Sequence, residues 1–358
     1  MYYLYPDYYK KFHCIADKCI DTCCAEWQIV IDDESLEKYR NYKGDYQQTL
    51  CQNIDWEEGV FGHNKRGKCA FLRDDDLCDM YIHMGEDSLC TTCREYPRHT
   101  EEFENLREIT LSLSCPEVAK IVMNTTEPIT FVTKEDETDE CYEKFDYFLF
   151  SELEDVREEM IRIIQDRNVN IRDRIDKILQ ISVSVQRHYD AGSLISWNEF
   201  EESDRVCVEN EYELFERLFL FLFEEFEILY PQWAEVLVES RLFLFGEGKK
   251  VFEQNKEEFE TWWNTSNLTP LDIVLEQLVV YFISVYLLGA VYDENILGKV
   301  DACIGHTIEI YLLLLGRWLK HGELAMDDVI EVVYRYSREI EHSDENLERA
   351  EMLNWFAR

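Results

Sequence analysis

A chain of 358 residues with 46% apolar and 14% aromatic side chains is long enough for two packed domains and too apolar to be disordered. Its 36 basic and 75 acidic residues leave a formal charge of −39. That charge repels a phosphate backbone and an anionic bilayer surface, which excludes nucleic acid and membrane as expected partners and favours a cationic one such as lysine.

The opening residues, MYYLYPDYYKKFHC, lack the apolar segment and small-residue cleavage site of a secretion signal, so a cytoplasmic protein is expected. Thiols stay reduced there, and an odd total of 13 cysteines fits a paired disulfide framework poorly. Nine of them crowd the first third: Cys14, Cys19, Cys23, Cys24, Cys69, Cys78, Cys90, Cys93 and Cys115. Cys51 lies among them but breaks the grouping. Between them the segments are short. Residues 27–31 predict a strand leading away from Cys23 and Cys24, and 35–42 and 88–96 predict helical turns. Residues 109–115 alternate strictly, which predicts a strand that delivers Cys115 and is stopped by Pro116. A small core with little regular structure is what a metal-stapled module needs.

Residues 124–141 are polar and acidic and carry Pro128, so they read as a connection. After them the pattern turns helical: 145–165, 171–189 and 211–229, the last with Leu214, Leu218, Phe219, Leu222 and Phe226 on one side. Residues 245–250, FGEGKK, follow an apolar run but lack the glycines and GK[ST] of a nucleotide loop. A glycine-capped helix end is the better reading. Thr269 and Pro270 open another helix, with Thr as cap, Pro at the first helical position and Asp272 in the first turn. It runs to about 292. The uncharged stretch 277–292 is shorter than the roughly 20 residues of a membrane span, so a buried helix is expected. Helices at 295–320 and 326–340 follow, then a short one from 344. The expected fold is mainly α: an irregular α+β cysteine-rich metal module at 1–123, a connection at 124–141, and an all-α domain at 142–358.

Adjacent cysteines point different ways, so Cys23 and Cys24 can serve two metals or two edges of one site. The two-residue gap of Cys90 and Cys93 lets both thiolates reach one centre. Zinc sites usually offer two such pairs, and here only one has that form. The looser spacing favours an iron–sulfur cluster, with zinc as the alternative. It does not match the CxxxCxxC of radical S-adenosylmethionine enzymes, because Glu26 stands at the third position. His13, His83 and His99 lie near enough in sequence to be further ligands. His342 sits in a dense polar run, 336–346, whose plain reading is a solvated helix end with Ser343 or Asp344 capping the next helix.

Three runs of residues resemble one family. They are Cys14…Cys19-x3-Cys23-Cys24 with Trp27 and Ile29; Cys69-Ala70-Phe71-Leu72…Leu77-Cys78; and Leu89-Cys90-x2-Cys93-Arg94-Glu95-Tyr96-Pro97-Arg98, with Cys115-Pro116 downstream. A fourth, Ser337-Arg338-Glu339-Ile340-Glu341-His342-Ser343-Asp344-Glu345-Asn346, looks like that family's C-terminal signature. The chain resembles flagellin lysine N-methylase, the FliB family, within the wider group of CxxCxxCC metal-chelating proteins. The middle, about 145–270, matches only in character, and the match at both ends favours the full-length methylase over a lone cysteine module. The resemblance implies methyl transfer from S-adenosylmethionine to lysines of flagellin, with a 4Fe–4S cluster bound by the N-terminal cysteines. Such a cluster has two possible roles, stapling the module as one wall of the donor pocket or binding the donor through an open iron, and the first is favoured because nucleophilic methyl transfer needs no electron. Lysine, with a pKa of about 10.4, must lose its proton before it attacks. Glu341, His342 and Tyr96 are the candidate catalytic acceptors. Arg338, through a bidentate contact with the donor's carboxylate, and Arg94 and Asn346 are the candidate donor-binding residues. The alternative is a non-enzymatic iron–sulfur or zinc protein, an electron carrier or scaffold.

Overall fold

The computed structural model describes residues 1–25, 27–65, 67–138, 146–193, 210–352 and 355–356. The chain opens with strand β1 (Tyr2–Pro6), then α1 (Asp33–Asn41), α2 (Gln47–Asn53), β2 (Ile54–Asp55), β3 (Val60–Phe61), α3 (Asp79–Met84) and α4 (Thr91–Glu95). Next come β4 (Arg98–Phe103), β5 (Leu106–Leu111), α5 (Pro116–Met123) and β6 (Phe131–Glu135). The helices that follow are α6 (Tyr147–Ile164), α7 (Ile171–Asp190), α8 (Glu211–Glu224), α9 (Pro231–Phe245) and α10 (Lys249–Thr265). The last are α11 (Leu271–Tyr286), α12 (Ala290–Asp293), α13 (Ile296–His321), α14 (Met326–Glu341) and α15 (Asp344–Glu351). The mainly α architecture expected from the sequence is present, and among the described residues the strands all lie in the N-terminal part.

Two cores organise these elements. The smaller joins Ile29, Ile31, Leu36, Tyr39, Leu50, Phe61, Phe71 and Met80 with the buried Cys69 and Cys90. The larger runs through all the long helices and also takes in Tyr8, Phe12, Phe103, Leu106, Leu111 and Leu113. The four-stranded sheet, order β4-β5-β1-β6, therefore shares its core with the helical body. β1 runs parallel to β5, with Tyr2 opposite Leu106, and antiparallel to β6, with Tyr2 opposite Glu135.

Several local expectations change. The segment 124–141 is no free connection: β6 lies inside it and Ile129 is buried. Residues 139–141, and residue 145 of the expected helix 145–165, lie outside the described residues. Residues 27–31 alternate in burial but form no strand. They make only an isolated bridge, Val30 to Val60, and the Val30 carbonyl accepts from Thr92 Oγ1 at 2.9 Å instead of from a ladder. β5 stops at Leu111, so Ser112 to Cys115 leave the sheet. Pro116 then opens α5, where its missing N–H costs nothing. Pro270 sits just before α11, and Thr269 donates to the Met123 carbonyl at 2.8 Å instead of capping the helix. The expected helix 211–229 ends at Glu224. Residues 245–250 do join two helices: α9 ends at Phe245, and Gly248 takes φ +80° before α10.

Leu271–Asp293 and Ile296–His321 are each long and apolar enough to cross a membrane by length and composition. In the structure these windows are 67% and 78% buried inside the protein. α13 packs against α7, α8, α9 and α11 and carries the buried polar residues Lys299, Asp301, His306 and Glu309. They are the central helices of a folded body.

A buried ion pair fastens the sheet to the helices. Arg157 on α6 donates to both carboxylate oxygens of Glu108 on β5, at 2.7 and 2.6 Å. Both side chains are less than a tenth exposed. Glu108→Ala leaves a buried guanidinium unpaired and is expected to cost about 3–5 kcal/mol in chemical denaturation. Glu108→Leu combined with Arg157→Met should recover most of that loss, since the double change removes both desolvated charges.

Candidate active site

α14 ends where the chain must turn into α15. Ser343 caps α15, its Oγ accepting the Asn346 N–H at 3.2 Å. The run 336–346 is not a solvated terminus: Ser337, Arg338, Glu339, Ser343 and Asn346 are all buried. What covers it is the cysteine module and the segment that leaves β5.

Glu341, at the last position of α14, lies among hydroxyls. Ser112 Oγ donates to Oε2 at 2.6 Å, Tyr281 OH on α11 to Oε2 at 2.9 Å, and Ser337 Oγ to Oε1 at 2.8 Å. Burial raises the carboxyl pKa, while these three donors pull it down. Ser112 also meets Ser114, Oγ to Oγ 2.6 Å. Ser114 Oγ in turn meets Tyr96 OH and His342 Nε2, each at 3.1 Å. The chain that binds these serines also places Tyr281, whose OH accepts the Leu113 N–H at 3.1 Å.

Trp27, Tyr96 and His342 bring three half-buried rings together. Ring centres are 4.7 Å apart for Trp27 and His342, 6.0 Å for Trp27 and Tyr96, and 6.2 Å for Tyr96 and His342. Trp27 is anchored by its Nε1 donating to the Cys23 carbonyl at 2.7 Å. Burial, and then the nearby Arg338 charge, push the His342 pKa down to about 3, so its imidazole is neutral. Burial holds the Tyr96 phenol well above its usual range.

Arg338 reaches across the junction. Nε donates to the Ser114 carbonyl at 3.0 Å, and Nη1 to Asp21 Oδ2 at 2.9 Å and to Tyr230 OH at 3.4 Å. Its guanidinium lies over the Tyr334 ring, 5.0 Å from the centroid. Nη2 is buried without a partner. With Nε and Nη1 taken, a bidentate contact with a donor carboxylate would break one of these bonds, and a single contact through Nη2 would not.

Of the other expected residues, Arg94 is exposed on α4, bonded to Glu95 and Thr91, and is not part of this group. Asn346 is a brace. Its Nδ2 donates to the Glu227 and Glu339 carbonyls at 3.0 and 2.7 Å, and its Oδ1 accepts the Glu227 N–H at 2.7 Å. Both Nδ2 hydrogens and one Oδ1 lone pair are therefore taken by the protein. The sequence reading passed over Ser112, Ser114, Tyr281 and Asp21. The two serines stood in plain view in Ser112-Leu113-Ser114-Cys115, where strict alternation made them look like one face of a strand.

The cysteines fall into two neighbourhoods that meet at Cys23–Cys24. Cys14, Cys19, Cys23 and Cys115 lie within electrostatic reach as one chain of neighbours. Cys23, Cys24, Cys69, Cys78, Cys90 and Cys93 form the other, with Cys90 and Cys93 hydrogen-bonded. Burial pushes the Cys69 thiol up to about 11 and the Cys115 thiol to about 12, with neighbouring cysteines adding to the rise. Soft donors crowded in this way fit a thiophilic metal by their chemistry, because a cation would relieve both penalties. Among the described residues, however, no three His, Cys, Asp or Glu side chains are arranged to hold a metal ion. His83 pairs with Asp79 on the module surface and His99 with Glu101 on β4. Exposed His13 Nδ1 lies near the Lys11 carbonyl.

A family model described as the FliB lysine N-methylase C-terminal domain matches residues 157–356, more than half of the chain. The chain belongs to the FliB family. The FliB match covers α14, α15, the helix that carries Tyr281, and Tyr230 just before α9. A lysine-N-methylase of Salmonella typhimurium strain LT2 is 30% identical over 128 residues, 33% of this chain and 32% of that protein. A lysine-N-methylase of Salmonella choleraesuis strain SC-B67 gives the same identity and shares. The flagellar biosynthetic protein FliU of Salmonella muenchen is 30% identical over 128 residues, 33% of this chain and 75% of FliU. The aligned stretch thus spans about a third of the two methylases' length. No solved structure matches.

The depressed pKa of His342 has a measurable consequence for this FliB-family chain. The folded state keeps the imidazole neutral while the unfolded state protonates below about 6.5, so stability tied to this residue falls as pH drops through the window from 6.5 towards 3. His342→Gln should therefore lose about 1–2 kcal/mol less than the unaltered protein between pH 7 and 5 in denaturant titrations. Equal losses would show that the imidazole titrates normally.

Proposed function

We propose that this chain is a cytoplasmic protein-lysine N-methyltransferase that moves methyl groups from S-adenosylmethionine to lysines of flagellin. A 4Fe–4S cluster held by the module's thiols completes the reading. One observation carries it: Arg338 and His342 of the FliB C-terminal part pack directly on Trp27, Tyr96 and Ser114 beside the cysteines, and Glu341 accepts from Ser112 two positions before Ser114. The names of the Salmonella relatives, lysine-N-methylase and flagellar biosynthetic protein FliU, point the same way.

The chemistry supports this. An amine attacks a sulfonium methyl only when neutral, so a lysine methylase needs a group that receives the ammonium and a route for its proton. Trp27 and Tyr96 offer aromatic faces to a cation, and the charge of −39 draws a basic substrate. The amine nitrogen forms a bond to the methyl carbon as the carbon–sulfur bond breaks, and S-adenosylhomocysteine leaves. Arg338 Nη2 suits one oxygen of the donor's carboxylate. Four thiols drawn from Cys23, Cys24, Cys69, Cys78, Cys90 and Cys93 would hold the cluster, which when bound would neutralise the thiolates and staple the loops bearing Trp27 and Tyr96. The methyl transfer itself calls for no electron.

Incubation of the full chain with flagellin and methyl-labelled S-adenosylmethionine is expected to place label on flagellin lysines. No label on any lysine would overturn the proposal. Purified without oxygen, the protein is expected to be brown and to hold iron and sulfide, and Cys90→Ser with Cys93→Ser should lose both. Bound zinc without sulfide would favour zinc as the module's metal.

A further inference from the structure

Three hydroxyls stand in single file between the ring cluster and the Glu341 carboxylate, and the direction of every hydrogen follows by elimination. An ionised Glu341 can only accept, so the one Ser112 proton goes to it, across 2.6 Å. Ser112 Oγ then has two lone pairs left. Ser114 fills both, with its N–H at 3.1 Å and its hydroxyl at 2.6 Å. The Ser114 proton is thereby spent as well. Its two lone pairs must be met by donors, and the two groups in reach are Tyr96 OH and His342 Nε2, each at 3.1 Å. Tyr96 therefore donates inward, and neutral His342 carries its hydrogen on Nε2. Each group from Tyr96 to Ser112 points its hydrogen towards Glu341, and neither serine hydroxyl has a spare site. At the outer end the Tyr96 oxygen remains an acceptor, beside Trp27.

We propose that Tyr96, Ser114 and Ser112 form a one-way proton relay that carries the proton of a bound lysine ammonium to Glu341. The relay rests on the methyltransferase reading above. In the transfer the ammonium N–H bond breaks and its proton joins Tyr96 Oη. The Tyr96 proton passes to Ser114 Oγ, the Ser114 proton to Ser112 Oγ, and the Ser112 proton to Glu341 Oε2. Each hydroxyl ends with one hydrogen, an ammonium and a carboxylate become an amine and a carboxylic acid, and no oxidant or reductant takes part.

The surroundings suit Glu341 as the terminus. Tyr281 and Ser337 hold its remaining lone pairs, so the carboxylate is pinned in line with Ser112. The titratable groups within its electrostatic reach are Tyr8, Tyr281, Tyr286 and Tyr336, all buried phenols with raised pKa values, and His99 on β4. Phenols so placed stay neutral at working pH and cannot compete for the proton. Burial raises the Glu341 pKa, which narrows the gap the proton must climb. Ser112 and Ser114 touch no substrate in this scheme. They are positioning residues that act through Tyr96 and Glu341.

The test measures flagellin methylation from labelled S-adenosylmethionine by the full chain across pH 7 to above about 10.4, where free lysine is neutral without help. Ser112→Ala is expected to lower kcat at pH 7 by about 10²-fold, the low end for a lost proton-transfer path, with KM for flagellin unchanged. That deficit should shrink as pH rises. Ser112→Thr keeps the hydroxyl and should stay near the unaltered rate. If Ser112→Ala does not fold, Glu341→Gln decides: it keeps the shape, accepts no proton, and should show the same deficit and the same alkaline recovery. A Ser112→Ala or Glu341→Gln protein that works at full rate at pH 7 would overturn the relay alone. So would a loss equal at every pH, which marks a structural role. No methylation by the unaltered protein at any pH would overturn the methyltransferase reading and the relay with it.

Discussion

The Arg338 guanidinium is the constraint on which the site depends. It is buried at the seam between the cysteine module and the helical body, bonded to Asp21 on one side and to the Ser114 carbonyl on the other. A desolvated charge cannot be left unpaired without losing several kcal/mol, so both partners are held where Arg338 needs them. Asp21 lies two residues before Cys23, and Ser114 one before Cys115. One side chain on α14 thus sets the position of the first and last cysteine segments relative to the helices.

The departure of the chain from β5 at Leu111 follows from the same seam. A strand continued through Ser114 would send its serines to a ladder partner and its alternate side chains to opposite faces. Instead Leu113 N–H goes to Tyr281, Ser114 N–H to Ser112 Oγ, and the carbonyl of Ser114 to Arg338. Tyr281 and Arg338 of the helical body satisfy the Leu113 N–H and the Ser114 carbonyl, and the serine hydroxyls meet Glu341 and His342 instead of a ladder partner. Pro116 then starts α5 at once, so Cys115 sits at the corner between the sheet and the body. Sheet, cysteines and reactive polar groups share one corner of the molecule.

Much of this was legible in the sequence where the physics is local. α7, α13 and α14 follow the period of their apolar residues closely, because a helix buries a stripe that its own sequence spells out. Of the six expected site residues, the structure places Arg338, Glu341, His342 and Tyr96 around Ser112 and Ser114, with Arg94 outside that group. β6 was not legible: its five residues carry no buried side chain, and what holds them is the ladder to β1, more than a hundred residues earlier. Residues 27–31 erred the other way. Their alternation is real, with Ile29 and Ile31 inside, but the two-residue β3 beside them allows only the single bridge from Val30 to Val60. Asn346 shows why a motif does not assign a role: it sits beside the site in sequence, and its hydrogen bonds go to the Glu227 turn and α14.

By itself the sequence determined what depends on residue type and short spacing. The soft thiol donors, the acidic charge, the helical period and the cysteine-rich start all follow from neighbours a few positions apart. Only the tertiary structure decided which groups meet. Ser112 and Glu341 are 229 positions apart, Arg338 and Asp21 317, and no periodicity links them. Hydrogen-bond direction is likewise set only once every donor around a hydroxyl is known, because each hydroxyl has a single proton to give. That count turns two serines with the look of strand residues into the middle of a path from Tyr96 to Glu341.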